Sequence, residues 1–158
     1  MKKLLLLTAI ASFSFSSDFE WKFLGLSVAS EQVHKNESST SRALSTQLKL
    51  GVQNRDYRVA LSYKTDFSKM NEFAVQTDYL FDSFDINDLP ARAYVGASLS
   101  FIKHKQAKRL MAPGLHTGIL VNVSSNIDMD FGYSYKKYRN SDLYRYQNSF
   151  LIGFNYFF

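Results

Sequence analysis

The chain has 158 residues, 46% of them hydrophobic, 16% aromatic and 21% charged, with a formal net charge of +5 and no cysteine. That length makes one domain. The lack of cysteine excludes a disulfide framework and a lipid-modified cysteine anchor, and a mean hydropathy of -0.21 excludes a bundle of membrane-spanning helices, though not a sheet that meets lipid with every second residue.

Met1-Lys2-Lys3, the apolar run of residues 4–10 and the small residues of Ser14-Phe15-Ser16 read as a secretory signal cleaved after Ser16, leaving residues 17–158 as one domain. The apolar run falls short of the ~20 residues a spanning helix needs. Removing Lys2 and Lys3 lowers the net charge from +5 to +3, too small an excess to argue for nucleic acid.

The first predicted strand, residues 19–30, is ambiguous. Phe19, Trp21 and Phe23 share one parity, whereas Leu24, Leu26 and Val28 share the other, so a bulge that switches faces is expected. Residues 44–52 alternate cleanly, with Leu44, Thr46, Leu48, Leu50 and Val52 against Ser45, Gln47, Lys49 and Gly51. After a turn at 53–56, Tyr57, Val59, Leu61 and Tyr63 oppose Arg58, Ala60, Ser62 and Lys64. Next, Phe73, Val75, Thr77, Tyr79 and Phe81 oppose Glu72, Ala74, Gln76 and Asp78, with Leu80 the exception on the wet face.

Pro90 is expected to start a strand, as proline must in a sheet, with Ala93, Val95, Ala97, Leu99 and Phe101 against Arg92, Tyr94, Gly96, Ser98 and Ser100. Pro113-Gly114 likewise precedes Leu115, Thr117, Ile119, Val121 and Val123. Ile127, Met129, Phe131, Tyr133 and Tyr135 then alternate with Asp128, Asp130, Gly132, Ser134 and Lys136. In the last strand Phe150, Ile152, Phe154, Tyr156 and Phe158 face away from Gln147, Ser149, Leu151, Gly153 and Asn155.

These elements predict an all-β, eight-stranded antiparallel up-and-down barrel. Its short turns lie at 53–56, 82–90 and 124–126, and its longer loops at 31–42, 65–71, 103–113 and 137–145. Most strands are long enough to cross a bilayer, and no edge can stay open in lipid, so the first strand must pair with the eighth. A soluble barrel would turn the apolar set inward. The other face, however, is rich in Ser, Gly and Ala, which suits a narrow interior, and aromatics gather near both rims, with Trp21, Tyr57, Tyr79 and Phe158 at one and Tyr63, Phe73, Phe101, Tyr135 and Tyr144 at the other.

The segments ARAYVGASLSF, GLHTGILVNV, IDMDFGYSYKKY and SFLIGFNYFF give the chain its family likeness: over the whole of residues 17–158 it resembles the small eight-stranded outer-membrane barrels of the OmpA and OmpX kind. That resemblance implies a transmembrane barrel in the bacterial outer membrane, reached through the periplasm, with short periplasmic turns and longer extracellular loops. It also implies that Phe154, Tyr156 and Phe158 form the signal read by the outer-membrane assembly machinery. Seven glycines is sparse for such a barrel. No peptidoglycan-binding domain follows the last strand, so the two-domain anchoring role is not expected.

Eight strands leave a lumen that side chains fill, so inward charges should be paired. Registering the third and fourth strands about Ser68 sets Lys64 opposite Glu72 and Arg58 opposite Asp78, while Lys49, Arg92 and Lys136 answer Asp128 and Asp130. This near-neutral set suggests a plugged, polar lumen, with a small porin-like channel as the alternative.

The loop residues Lys103, Lys105, Lys108 and Arg109, with Lys136, Lys137, Arg139 and Arg145 beside another loop, would draw phosphate-bearing partners, of which lipopolysaccharide is the nearest. Among the three histidines, His34 and His104 fall in outer loops and His116 points inward near Ser134, without the His-x-Ser pattern of barrel deacylases. Asp82-Ser83, a candidate for acyl transfer with His34, lies at the opposite end. The expectation is a monomer with a structural or surface-interaction role, no catalysis, no cofactor and no metal. A lipid-modifying barrel enzyme is the remote alternative.

Overall fold

The computed structural model describes residues 20–35, 40–66, 70–104, 109–139, 141 and 143–158. The signal segment, Phe19, Lys105 and Lys108 lie outside the described residues. Eight antiparallel strands close in sequence order: β1 (Trp21–Lys35), β2 (Thr40–Gln53), β3 (Tyr57–Thr65), β4 (Met70–Ile86), β5 (Leu89–His104), β6 (Leu110–Ser124), β7 (Ile127–Lys137) and β8 (Tyr144–Phe157).

The two-residue periodicity sorts side chains between an oily exterior and a polar interior. Leu26, Leu115 and Phe150 are 62%, 66% and 60% exposed, while Lys49, Arg58, Lys64, Glu72, Asp78, Asp130 and Lys136 are buried. At ~25 cal/mol per Å² of apolar surface, an exterior of this kind is stable against hydrocarbon and costly against water. The third and fourth strands pair in the predicted register, with Tyr57 on Tyr79, Arg58 on Asp78, Tyr63 on Phe73 and Lys64 on Glu72. The Tyr57 and Tyr79 rings meet edge-on at 5.6 Å, a favoured cross-strand geometry.

The seam differs from expectation. β1 pairs with β2 without interruption from Trp21 to His34, so no bulge switches its faces. Leu24, Leu26 and Val28 lie outside, opposite Tyr156, Phe154 and Ile152 of β8, and Phe23 turns inward with no exposed surface. Small neighbours make room for that ring: a side chain on Gly51 would collide with Phe23 Cζ at 2.6 Å.

Strands also run further than the apolar alternation shows. β1 and β2 extend to Lys35 and from Thr40, and β5 and β6 reach His104 and start at Leu110. The predicted 82–90 turn is itself hairpin, closed by Asn87 and Asp88 at φ 49° and 65°, residue types that tolerate the left-handed region in two-residue turns. An irregularity between Leu80 and Ser83 shifts the β4 register, so that Phe84 pairs with Ala91 and Ile86 with Leu89. Pro113 lies inside β6 rather than before it, just beyond Gly114, where pairing to β7 begins. Tyr144, expected in an outer girdle, is buried inside.

Candidate functional site in the barrel lumen

Inward positions of the strands build two ion networks stacked along the barrel axis. Nearer the turn end, Arg58 Nε of β3 meets Asp78 Oδ2 of β4 at 2.6 Å, and Arg58 Nη1 lies 3.6 Å from Asp130 Oδ2 of β7. Lys49 Nζ of β2 crosses the lumen to Asp130 Oδ2 at 2.8 Å, and the Tyr94 hydroxyl donates to Asp130 Oδ1 at 2.8 Å. His116 Nε2 contacts Asp78 Oδ1. The Arg58 guanidinium stacks over the Tyr94 ring at 4.6 Å, a cation–π contact strengthened by burial.

Tyr94 reaches Asp130 because β6 and β7 carry glycine beside it. A side chain at Gly132 would meet the Tyr94 hydroxyl oxygen at 2.6 Å, and one at Gly118 would meet it at 2.5 Å.

Nearer the loop end, Lys64 Nζ joins Glu31 Oε1 at 2.7 Å and lies 3.4 Å from Glu72 Oε2. Lys136 Nζ pairs with Glu72 Oε1. Ser45 donates to Glu31 at 2.9 Å, Gln147 Nε2 donates to Glu31 Oε2 at 2.6 Å, Ser100 donates to Glu72 at 2.8 Å, and the Tyr138 hydroxyl donates to Gln147 Oε1 at 2.6 Å. Four cations (Lys49, Arg58, Lys64, Lys136) thus balance four carboxylates (Glu31, Glu72, Asp78, Asp130), each with hydrogen-bonding partners, as burial of charge requires.

Apolar clusters flank the networks. At the loop end Val33, Met70, Ile102, Leu110, Tyr138 and Tyr144 come together from opposite walls. At the turn end Leu80 packs with Tyr94 and Leu120, which explains the apolar exception on the wet face of β4.

Three sequence expectations change here. Lys136 answers Glu72, not the aspartates of its own strand. Arg92 sits at the rim, its guanidinium donating to the Phe81 carbonyl at 3.0 Å and to the Arg55 carbonyl, outside the ion-pair network. Asp128 accepts from Asn122 Nδ2 at 3.0 Å rather than from a lysine or arginine. Glu31, read as loop, is a hub of the upper network. It lies on the parity of Ser27 and Ala29, and extending β1 one residue past Ser30 would have found it.

His116 pairs with Ser134 in the backbone register, yet its Nε2 is taken up by Asp78. Lys103 and Arg109 are exposed at the loop end, as are Arg42, Lys137, Arg139 and Arg145. Asp82, Asp85 and Asp88 are exposed at the other end. The phenylalanines and tyrosine at 154, 156 and 158 all lie on the outer face, and the Phe158 amide donates to the Lys22 carbonyl at 3.0 Å. Among the described residues no group of three or more histidines and carboxylates is placed to hold a metal ion.

No protein-family model matches this chain, and no curated protein is similar to it in sequence. Solved structures are similar in fold. Neisserial surface protein A (NspA) superposes with a TM-score of 0.68 at 18% identity, over 87% of this chain and 97% of that one. Ail, the attachment invasion locus protein of Yersinia pestis, in complex with the heparin analogue sucrose octasulfate, gives 0.56 at 15% identity over 87% and 98%. The N-terminal β-barrel domain of Pseudomonas aeruginosa OprF gives 0.52 at 13% identity over 84% and 97%. The architecture is that of the small eight-stranded outer-membrane barrels.

Proposed function

We propose that this chain, which has the fold of the small outer-membrane barrels, is an integral protein of the bacterial outer membrane with a structural or surface-interaction role, a closed lumen and a basic outer rim that contacts anionic partners. The observation that carries the reading is the inverted burial: a continuous apolar exterior around a lumen whose two networks pair four cations with four carboxylates, while buried Asp128 is held by Asn122. Such a wall is stable in hydrocarbon, and such a lumen needs no water column to solvate its charges.

Charge asymmetry supports the surface role. Arg42, Lys103, Arg109, Lys137, Arg139 and Arg145 ring the loop end, opposite the exposed aspartates of the β4–β5 hairpin. A cationic rim beside the outer leaflet suits the phosphates of lipopolysaccharide, and the Ail complex with a heparin analogue supports polyanion binding by a barrel of this shape. We assign the protein no catalysis. His116, the inward histidine, is engaged by buried Asp78, and an unchanged acyl composition of membrane lipids on overexpression is the expected result.

The test is binding of lipopolysaccharide and of sucrose octasulfate to the refolded barrel across a salt series. Salt-sensitive binding that weakens at least tenfold in the combined Lys103→Glu, Arg109→Glu and Arg145→Glu variant is expected. Binding indifferent to both salt and substitution would overturn the rim assignment, and recovery of the protein in the soluble periplasmic fraction would overturn the membrane one. A gated channel is the second reading, favoured by a cavity between the two networks.

A further inference from the structure

That cavity has a volume of ≈ 30 Å³ open to the centre of a water molecule, room for about two waters. Its wall carries the cations Lys49, Arg58, Lys64 and Lys136, together with His116, Gln47, Gln76, Tyr94 and Ser149, and no carboxylate. Glu31, Glu72, Asp78 and Asp130, the partners of these side chains, do not line it, so basic residues of both networks border one small space.

The polar atoms there are also incompletely used. Arg58 Nη1 and Ser149 Oγ belong to residues that are each 3% exposed and line the cavity, and neither makes a hydrogen bond among the described residues. His116 Nδ1 is in the same condition. Arg58 Nη1, whose ion-pair partner Asp130 Oδ2 lies at 3.6 Å, and the Ser149 hydroxyl can both donate to an acceptor in a space that Lys49, Lys64 and Lys136 also border.

We propose that this mid-lumen cavity binds one small monovalent anion of the halide class. A halide has the size of one water, accepts from several donors at once and places its charge in a space that four cationic residues border, whereas oxyanions such as sulfate exceed the space. This site is separate from the outer rim and stands whether or not the rim binds polyanions.

The experiment refolds the chain lacking its signal segment into detergent in sodium bromide or in sodium gluconate at equal ionic strength. Crystals from the bromide preparation are expected to show one anomalous bromide peak in the mid-lumen, within hydrogen-bonding distance of Arg58 and Ser149. The urea midpoint is expected to rise saturably with bromide or chloride and not with gluconate. Gln76→Glu, a near-isosteric change on the cavity wall, puts a fixed carboxylate in place of the ion and should abolish both effects while the barrel still forms. An empty mid-lumen in the bromide crystals, equal midpoints in bromide and gluconate, or a bromide peak that persists in Gln76→Glu would each overturn the proposal. If that variant does not refold, the peak and the titration of the unmodified chain decide.

Discussion

Glu72→Gln tests the balanced lumen most sharply. Glu72 has a fully buried side chain held between Lys136 and Lys64 and accepts the Ser100 hydroxyl. Neutralising it leaves Lys64 with Glu31, but removes the carboxylate of Lys136 and gives the upper network a surplus positive charge. Stranding a buried charge in this way costs about 3–5 kcal/mol, whereas replacing a whole buried pair with apolar groups is often neutral. The Glu72→Gln, Lys136→Met double variant should therefore return to within about 1 kcal/mol of the parent. Urea unfolding in lipid vesicles, followed by fluorescence of the single tryptophan, Trp21, half-exposed at the turn-end rim on the parity of Phe23, measures both. A single-variant loss below about 1 kcal/mol, or a double variant no better than the single one, would refute the reasoning.

Three further outcomes are expected. Gly132→Ala should cost about 1–3 kcal/mol by driving Tyr94 off Asp130, and the penalty should shrink in a Tyr94→Phe background, a coupling read from a four-variant urea cycle. Arg58→Met should cost about 3–5 kcal/mol in the same assay, and Arg92→Met no more than about 1 kcal/mol, because Arg92 meets only rim carbonyls. Deleting Phe158 should slow assembly into the outer membrane of cells, followed by heat-modifiable gel migration, while changing unfolding of the refolded barrel by about 1 kcal/mol, the worth of its one backbone bond to Lys22.

The strand number, the closure and the β3–β4 register were legible because outward apolar residues alternate with inward small or charged ones from Tyr57 to Lys64 and again from Glu72 to Tyr79, and a one-residue slip would have turned every tyrosine inward. Legibility ended where the outer face stops being apolar. Beyond Ser30 the outward neighbours are polar, so β1 lost its pattern although its inward parity ran on through Glu31 to Val33.

Phe23 misled for the opposite reason. A large apolar ring can fill a narrow lumen when the residue facing it is glycine, as Gly51 is, so hydrophobicity alone did not mark the lipid face. Arg92 was assigned to the lumen by parity, but the irregular register beside Leu80 leaves rim carbonyls within its reach. Which carboxylate serves Lys136 depends on distances across the barrel, which pairing along adjacent strands does not encode.

Single-channel recording of the purified, refolded barrel in planar bilayers tests the closed lumen most directly. Bilayers without defined conductance steps are expected from the parent and from Lys64→Met alike. Reproducible openings in the parent, with an amplitude or frequency that changes on substitution of Lys64 or Arg58, would contradict a lumen sealed by its own ion pairs.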